Sequence, residues 1–256
     1  MTATAPRGAL VLVPNTLDFG TGTQVALDAV LPRAVIARAA GLGHWLAENA
    51  KSTRALLRRI DAIVPLQRAL QAIDIRELPR APKGRVVPLP LDLAPLLQPA
   101  LAGHDIGLVS EAGMPAVADP GAALVAAAHD AGIMVQPLVG ASAPLLALAA
   151  SGLNGQSFAF VGYLPVDAAA RAVRIRTLES ASHQQGQTQI AIETPYRSAA
   201  LFEALLEHLQ PSTALSVSAA LTLPGQRCTT RPVSAWRKAP RPALERCPAV
   251  FLFLAA

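Results

Sequence analysis

The stretch Gly107-Leu-Val-Ser-Glu-Ala-Gly-Met-Pro-Ala-Val-Ala-Asp-Pro-Gly121 reads as the end of a buried strand, a turn and the start of a helix. Ile106–Val109 is wholly apolar, so it is the strand. Ser110, Glu111 and Gly113 follow at its carboxyl end, where open α/β sheets bind ligands. Gly113 permits positive φ or close backbone approach. Asp119 before Pro120 predicts an N-cap with proline in the first helical position. A helix over 120–131 would then end at Gly132, and Ile133–Leu138 is the next strand. Strand, helix, strand in that order is a parallel βαβ unit and predicts an α/β fold. A well-capped turn with no ligand accounts for the spacing equally well. Neither G-x-G-x-x-G nor a Walker motif is present, so nucleotide cofactors of those kinds have no support.

Upstream, Ala9–Val13 is a short apolar run ending at Pro14 and reads as a buried strand. Residues 15–31 read as a long loop, and 32–40 as a helix opened by Pro32 and closed by Gly41 and Gly43. Trp45–Ala47 is the next strand, and Ser52 is positioned to cap a helix carrying Leu56, Leu57 and Ile60. Residues 79–95, rich in proline and holding Lys83 and Arg85, read as an irregular connection, and 92–102 as helical. After Gly140 the pattern restarts. Helices are predicted over 142–151, 168–182 and 196–209, and strands over 158–161, 189–192, 213–219 and 250–254. This predicts two α/β domains, 7–138 and 139–256.

Composition supports a globular protein: of 256 residues, 52% are hydrophobic and only 15% charged. No apolar run reaches the ~18 residues needed to span a bilayer. Met1–Gly8 lacks a basic region followed by an apolar stretch, so no signal peptide is expected. Cys228 and Cys247 form no C-x-x-C pair and read as ordinary thiols of a cytoplasmic protein. The five histidines are scattered without ligand spacing, so no metal site is expected. The net charge of +5 is uneven: 12 basic and 11 acidic residues precede Val139, while 10 and 6 follow. A basic C-terminal half can attract phosphate backbones, although a solvated surface explains it as well.

Three further segments pair a strand end with a helix start. Leu138-Val-Gly-Ala-Ser-Ala143 places Ser142 as a cap whose neighbouring N–H groups can meet an anion; a plain cap at a domain hinge is the bland alternative. Phe158-Ala-Phe-Val-Gly-Tyr-Leu-Pro165 is the second. In the third, Ile192-Glu-Thr-Pro-Tyr-Arg197, Glu193 ends a strand and Arg197 falls in the first turn of a helix. A cation there opposes the helix dipole, which hints at a function or at a structural Glu193–Arg197 ion pair.

Together the four segments resemble the tetrapyrrole methylase superfamily, the class III methyltransferases. The similarity is greatest to its ribosomal RNA small-subunit methyltransferase I branch. That branch reads V-S-D-A-G-T-P-x-x-x-D-P-G, P-G-P-S-A, F-x-F-x-G-F-L-P and Y-E-S-x-H-R, in the same order and spacing as here. The resemblance implies two α/β domains with S-adenosylmethionine in the cleft between them, and a homodimer. Carried over by position, the cofactor region takes in Pro14, Ser110, Glu111, Ala112, Gly113, Pro115, Gly140 and Ser142. Tyr163, Leu164, Glu193 and Thr194 are its expected neighbours.

This chain also departs from the pattern. The first loop is Pro14-Asn-Thr-Leu-Asp-Phe-Gly20 where the family has P-T-P-I-G-N-L. Ala47-Glu-Asn-Ala-Lys-Ser-Thr53 stands for A-E-D-T-R-x-T, Glu111 for an aspartate, Ala219-Ala220 for an Arg-Glu pair, and Arg246-Cys-Pro248 for K-G-E. The cofactor loops are better kept than the substrate side. The expected activity is ribose 2′-O-methylation of small-subunit ribosomal RNA, with Glu48, Glu111 and Glu193 as candidate general bases. The alternatives are a methyltransferase for a tetrapyrrole or other small molecule, and a non-catalytic S-adenosylmethionine-binding protein.

Overall fold

The structure is a computed structural model, and it describes residues 6–18, 20–79, 93–244 and 247–256. The chain divides into two units: Met1–Phe19 with Val25–Ala141, and Gly20–Gln24 with Ser142–Ala256. The boundary thus falls three residues beyond the 138/139 read from the sequence, and the second unit takes in a short piece of the first loop.

In the first unit the apolar runs become β1 (Ala9–Leu12), β2 (His44–Ala47), β4 (Ile106–Val109) and β5 (Met134–Pro137), with β3 (Asp74–Glu77) at one edge. All pair in parallel, in the order β3-β2-β4-β1-β5. The helices are α1 (Arg33–Ala40), α2 (Ala50–Asp61), α3 (Gln98–Leu101) and α4 (Ala122–Asp130). Two hydrophobic clusters form, one on each face of the sheet. Val35, Ile36, Leu56, Leu57 and Ile60 of α1 and α2 pack with Val11, Trp45 and Val109. Leu97, just before α3, Ala100 of α3, and Leu124 and Ala128 of α4 pack with Leu10, Leu46 and Leu108. Burying each of these larger aliphatic side chains contributes about 1.5–3 kcal/mol.

α2 illustrates how local chemistry sets an element. Its buried residues Thr53, Leu56, Leu57 and Ile60 repeat at helical spacing. Its N-cap is Asn49, not the expected Ser52: the Asn49 side chain accepts from the amides of Lys51 and Ser52. The Ser52 hydroxyl instead donates back to the Asn49 carbonyl. β3 was not expected, because Asp-Ile-Arg-Glu carries the charges of an edge strand rather than the apolar run of a central one. Of the predicted 92–102 helix, a 3₁₀ turn (Ala94–Leu97) and α3 are present. Most of the predicted irregular connection, with Lys83 and Arg85, lies outside the described residues, as do Asp92, Phe19 and Arg246.

The second unit holds α5 (Ala143–Ser151), β6 (Phe158–Tyr163), α6 (Ala168–Gln185), β7 (Thr188–Glu193), α7 (Ser198–His208), β8 (Ala214–Ala219), β9 (Arg227–Pro232), α8 (Val233–Lys238) and β10 (Ala249–Leu254). Its sheet order is β6-β7-β10-β8-β9. β6 and β7 are parallel, and β10 runs antiparallel to both of its neighbours. Phe251 and Phe253 of β10 are fully buried, with Phe202 and Trp236 meeting edge to face at 5.3 Å in the same core. β9 and α8 were not expected; β9, Arg-Cys-Thr-Thr-Arg-Pro, is again a polar edge strand. Among the described residues no helix is long and apolar enough to cross a membrane.

Candidate functional site

The strand order of the first unit creates one special place. β4 and β1 are neighbours, but β1 leads to α1 and back to β2, while β4 leads to α4 and out to β5. Because α1 and α4 lie on opposite faces, the loops leaving β1 and β4 diverge. Such a switch point leaves a crevice at the carboxyl edge of the sheet. Pro14, Ser110, Glu111, Ala112, Gly113, Pro115 and Gly140 all stand at the carboxyl ends of β1, β4 and β5, and Glu48 follows β2.

Hydrogen bonds tie the two central loops together. The amide of Asn15 donates to the Gly113 carbonyl at 2.9 Å, and the Gly113 amide to the Thr16 carbonyl at 3.3 Å. The buried Asn15 side chain donates to the carbonyls of Ser110 and Glu111, each at 3.1 Å. Gly113 has φ +69°, a conformation costly for residues with a Cβ. Gly140 is required for a different reason: a Cβ there would lie 2.3 Å from Pro14 Cβ and Cγ. The loops after β1 and β5 therefore pack backbone against ring. The turn after Gly113 is strained, with Ala116 at φ +64° and Ala118 at φ +68°. Each left-handed alanine costs about 1–2 kcal/mol, and such strain clusters at ligand sites and switches.

Asp119 corrects the sequence reading. It does not cap the helix: α4 starts later, at Ala122, with Gly121 as the N-cap at φ +137° and no side-chain cap. Asp119 instead sits half-buried beside Glu48, Ser110 and Glu111. Burial above all, then the negative charges of Glu48 and Glu111, push its carboxyl up to about 7, with Ser110 acting in the opposite sense. The Ser110 hydroxyl is buried, the residue being 3% exposed, and its Oγ makes no hydrogen bond of ordinary geometry. Toward Asp119 it acts as a hydrogen-bond donor outside ordinary geometry. Glu48 Oε1 accepts the Glu111 amide at 3.3 Å. The edge therefore gathers three carboxylates and an unsatisfied buried hydroxyl, an environment that favours a cationic ligand. Among the described residues, no three His, Cys, Asp or Glu side chains are disposed to hold a metal ion.

The remaining candidates belong to the second unit. Ser142 occupies the N-cap position of α5, but its side chain makes no capping hydrogen bond. Tyr163, half exposed, ends β6 just past its bulge, and Leu164, buried, follows it. Glu193 ends β7. Arg197 stands at the N-cap of α7 rather than inside its first turn. Its guanidinium meets both oxygens of the buried Glu193 carboxylate, at 2.7 and 2.8 Å, and Glu193 Oε1 also accepts the Thr194 amide at 2.7 Å. The Glu193 carboxylate is committed to this ion pair, while Thr194 remains exposed.

Sequence reasoning missed the clamp made by Asn15 and the placement of Asp119. The first had a signal, an amide side chain directly after a strand-ending proline. The second had none, because Glu48 lies 71 positions before Asp119 in the chain.

Residues 91–235 match the family model described as Tetrapyrrole (Corrin/Porphyrin) Methylases. A Vibrio cholerae protein named Ribosomal RNA small subunit methyltransferase I is 31% identical over 209 residues, which cover 80% of this chain and 63% of that one. A Mesorhizobium japonicum protein of the same name is 41% identical over 120 residues, covering 47% and 40%. The chain thus matches about half the length of these relatives. Among solved structures, a conserved hypothetical protein from Aeropyrum pernix K1 is 19% identical, with a TM-score of 0.55 over 98% of this chain and 85% of its own. The methyltransferase CobJ is 18% identical, with a TM-score of 0.50 over 84% and 95%. At such identities these two likenesses concern the fold.

Proposed function

The chain belongs to the tetrapyrrole methylase family, and from that premise we propose that it is an S-adenosylmethionine-dependent methyltransferase acting on RNA of the small ribosomal subunit. The observation that carries the donor is the acidic switch-point edge of the first unit. S-adenosylmethionine, when bound, supplies a methyl group on a positively charged sulfur. Glu48, Glu111 and Asp119 complement that charge, and the buried Ser110 hydroxyl has hydrogen-bonding capacity to offer a ligand. Pro14, Ala112, Gly113, Pro115 and Gly140 leave backbone and small side chains at the edge, consistent with close approach of a ligand. The acceptor reading is supported by the named relatives, both ribosomal RNA small subunit methyltransferases. The same resemblance is the ground for a cytoplasmic homodimer.

Methylating a ribose hydroxyl requires that its proton be taken, and a base titrating near neutral pH does this best. Asp119, pushed up to about 7, is the proton acceptor in this reading. Glu48 and Glu111 raise its basicity. Glu193, engaged by Arg197, holds its ion pair instead.

Calorimetry with S-adenosylmethionine tests the donor, and labelled-methyl transfer to undermethylated small ribosomal subunits tests the acceptor. Transfer is expected, and Asp119→Asn should lower kcat by roughly 10²–10⁴-fold, a larger effect than the loss of donor affinity, since Glu48 and Glu111 still face the donor's charge. Tight donor binding without transfer to ribosomal subunits would refute the acceptor. Full turnover by Asp119→Asn would refute the base.

A further inference from the structure

Sequence places the excess of positive charge in the C-terminal half, but the fold spends much of it there. Arg197 pairs with Glu193 and Arg241 with Glu203. Arg237 donates to the carbonyls of Leu206 and Leu209, and Arg227 to that of Ala243. Arg231 lies over the Trp236 ring at 5.2 Å.

The opposite holds on α2 of the first unit. Lys51, Arg54 and Arg58 are exposed and stand at i, i+3 and i+7, so they form one stripe along the solvent face, about 10 Å long. None of the three makes an ion pair among the described residues. The fourth cation, Arg59, faces another way and is used internally, on Asp18, Thr16 and the Val25 carbonyl. Asp61, the helix's own acid, accepts the Leu66 amide.

The N-terminal part of the stripe is electrostatically unfavourable for the helix itself, whereas Arg58 stands in the last turn, where the dipole favours a cation. Lys51 lies in the first turn, which holds no acidic residue, where the dipole disfavours a cation. Arg54 and Arg58, four apart, repel one another. Helix stability therefore does not explain Lys51 and the Arg54–Arg58 spacing, whereas a polyanionic partner accounts for all three cations. The position agrees with this: Asn49, the N-cap of α2, directly follows Glu48, so the stripe begins at the rim of the acidic edge.

We propose that the Lys51–Arg54–Arg58 face of α2 docks the phosphate backbone of the RNA substrate. The inference rests on the RNA-acting reading above and adds to it the surface that holds the RNA. Phosphate contacts of this kind position the acceptor and carry no sequence information.

The test is filter binding of a transcript of small-subunit ribosomal RNA to the full chain, across 50–300 mM KCl. The variants are K51Q/R54Q/R58Q, the charge-preserving K51R/R54K/R58K, and a control, R174Q/R176Q/K238Q, that removes three cations from the second unit. The α2 glutamine variant should lose roughly 10²-fold in affinity near 100 mM salt, and its log–log salt slope should be shallower by about 2–3. The charge-preserving variant and the control should stay within a few-fold of the unsubstituted protein. Unchanged S-adenosylmethionine affinity shows that the glutamine variant is folded. Equal losses in the α2 variant and the control, or an unchanged salt slope in the α2 variant, would overturn the docking surface alone. If the unsubstituted protein bound no RNA, the RNA-acting reading would fall with it.

Discussion

Asp119→Asn tests the electrostatics of the acidic edge without recourse to activity. In the folded chain the Asp119 carboxyl is raised from 3.8 to about 7, by burial first and then by Glu48 and Glu111. The folded state therefore binds a proton that the unfolded chain releases between about pH 4 and 7. Stability contributed by this group falls as pH rises through that window. Below the unfolded value of 3.8 the penalty is absent, and above about 7 it is present in full. A shift of that size has a ceiling of about 4 kcal/mol, at ~1.4 kcal/mol per pH unit. Asp119 is only half-buried, so solvent screening reduces the expected penalty to about 1–2 kcal/mol. Asparagine cannot ionise. The variant should match the wild type near pH 4.5 and exceed it by about 1–2 kcal/mol at pH 8, or roughly 2–8 °C in Tm for a chain of this size. Trp45, buried in the first unit, reports unfolding of that unit in a Trp236→Phe background. Melts at low and high salt divide the causes, since salt weakens repulsion from Glu48 and Glu111 but leaves desolvation. A stability difference that did not vary between pH 4.5 and 8, or a variant weaker at pH 8, would refute the reasoning.

Two other substitutions probe the loops. Gly140→Ala forces a Cβ to 2.3 Å from Pro14; thermal melts should show a loss of about 1–3 kcal/mol, and calorimetry a weaker affinity for S-adenosylmethionine. Arg197→Ala strands the buried Glu193 carboxylate, whose side chain is 3% exposed. Urea unfolding should register a loss of about 3–5 kcal/mol, and Glu193→Gln in the same background should restore part of it.

Much of the fold was legible because it rests on local chemistry. Ile106–Val109, Ala9–Val13 and Val250–Leu254 announce themselves as strands by being apolar throughout, which reflects burial on both sides. Ser110, Glu111 and Gly113 were legible as the loop at the carboxyl end of a parallel strand, the edge where open α/β sheets bind ligands. The strands missed, β3 and β9, are polar edges, whose sequences carry solubility rather than burial. The caps missed followed from rules applied one position at a time: Asn49 outcompeted Ser52, and Gly121 displaced Asp119.

By itself the sequence determined the buried strands and most of the helices, and that four strand ends meet helix starts in a family order. Those are properties of neighbours in the chain, set by periodicity, turn residues and hydrophobic runs. Only the tertiary structure decided what the charges do. It brought Glu48 to Asp119 and turned an expected cap into a group titrating near neutrality. It used Arg59 inside the first unit and left Lys51, Arg54 and Arg58 facing solvent. The reason is that a charge acts through distance and dielectric. Both are fixed by packing between residues far apart in sequence, and no local pattern records them.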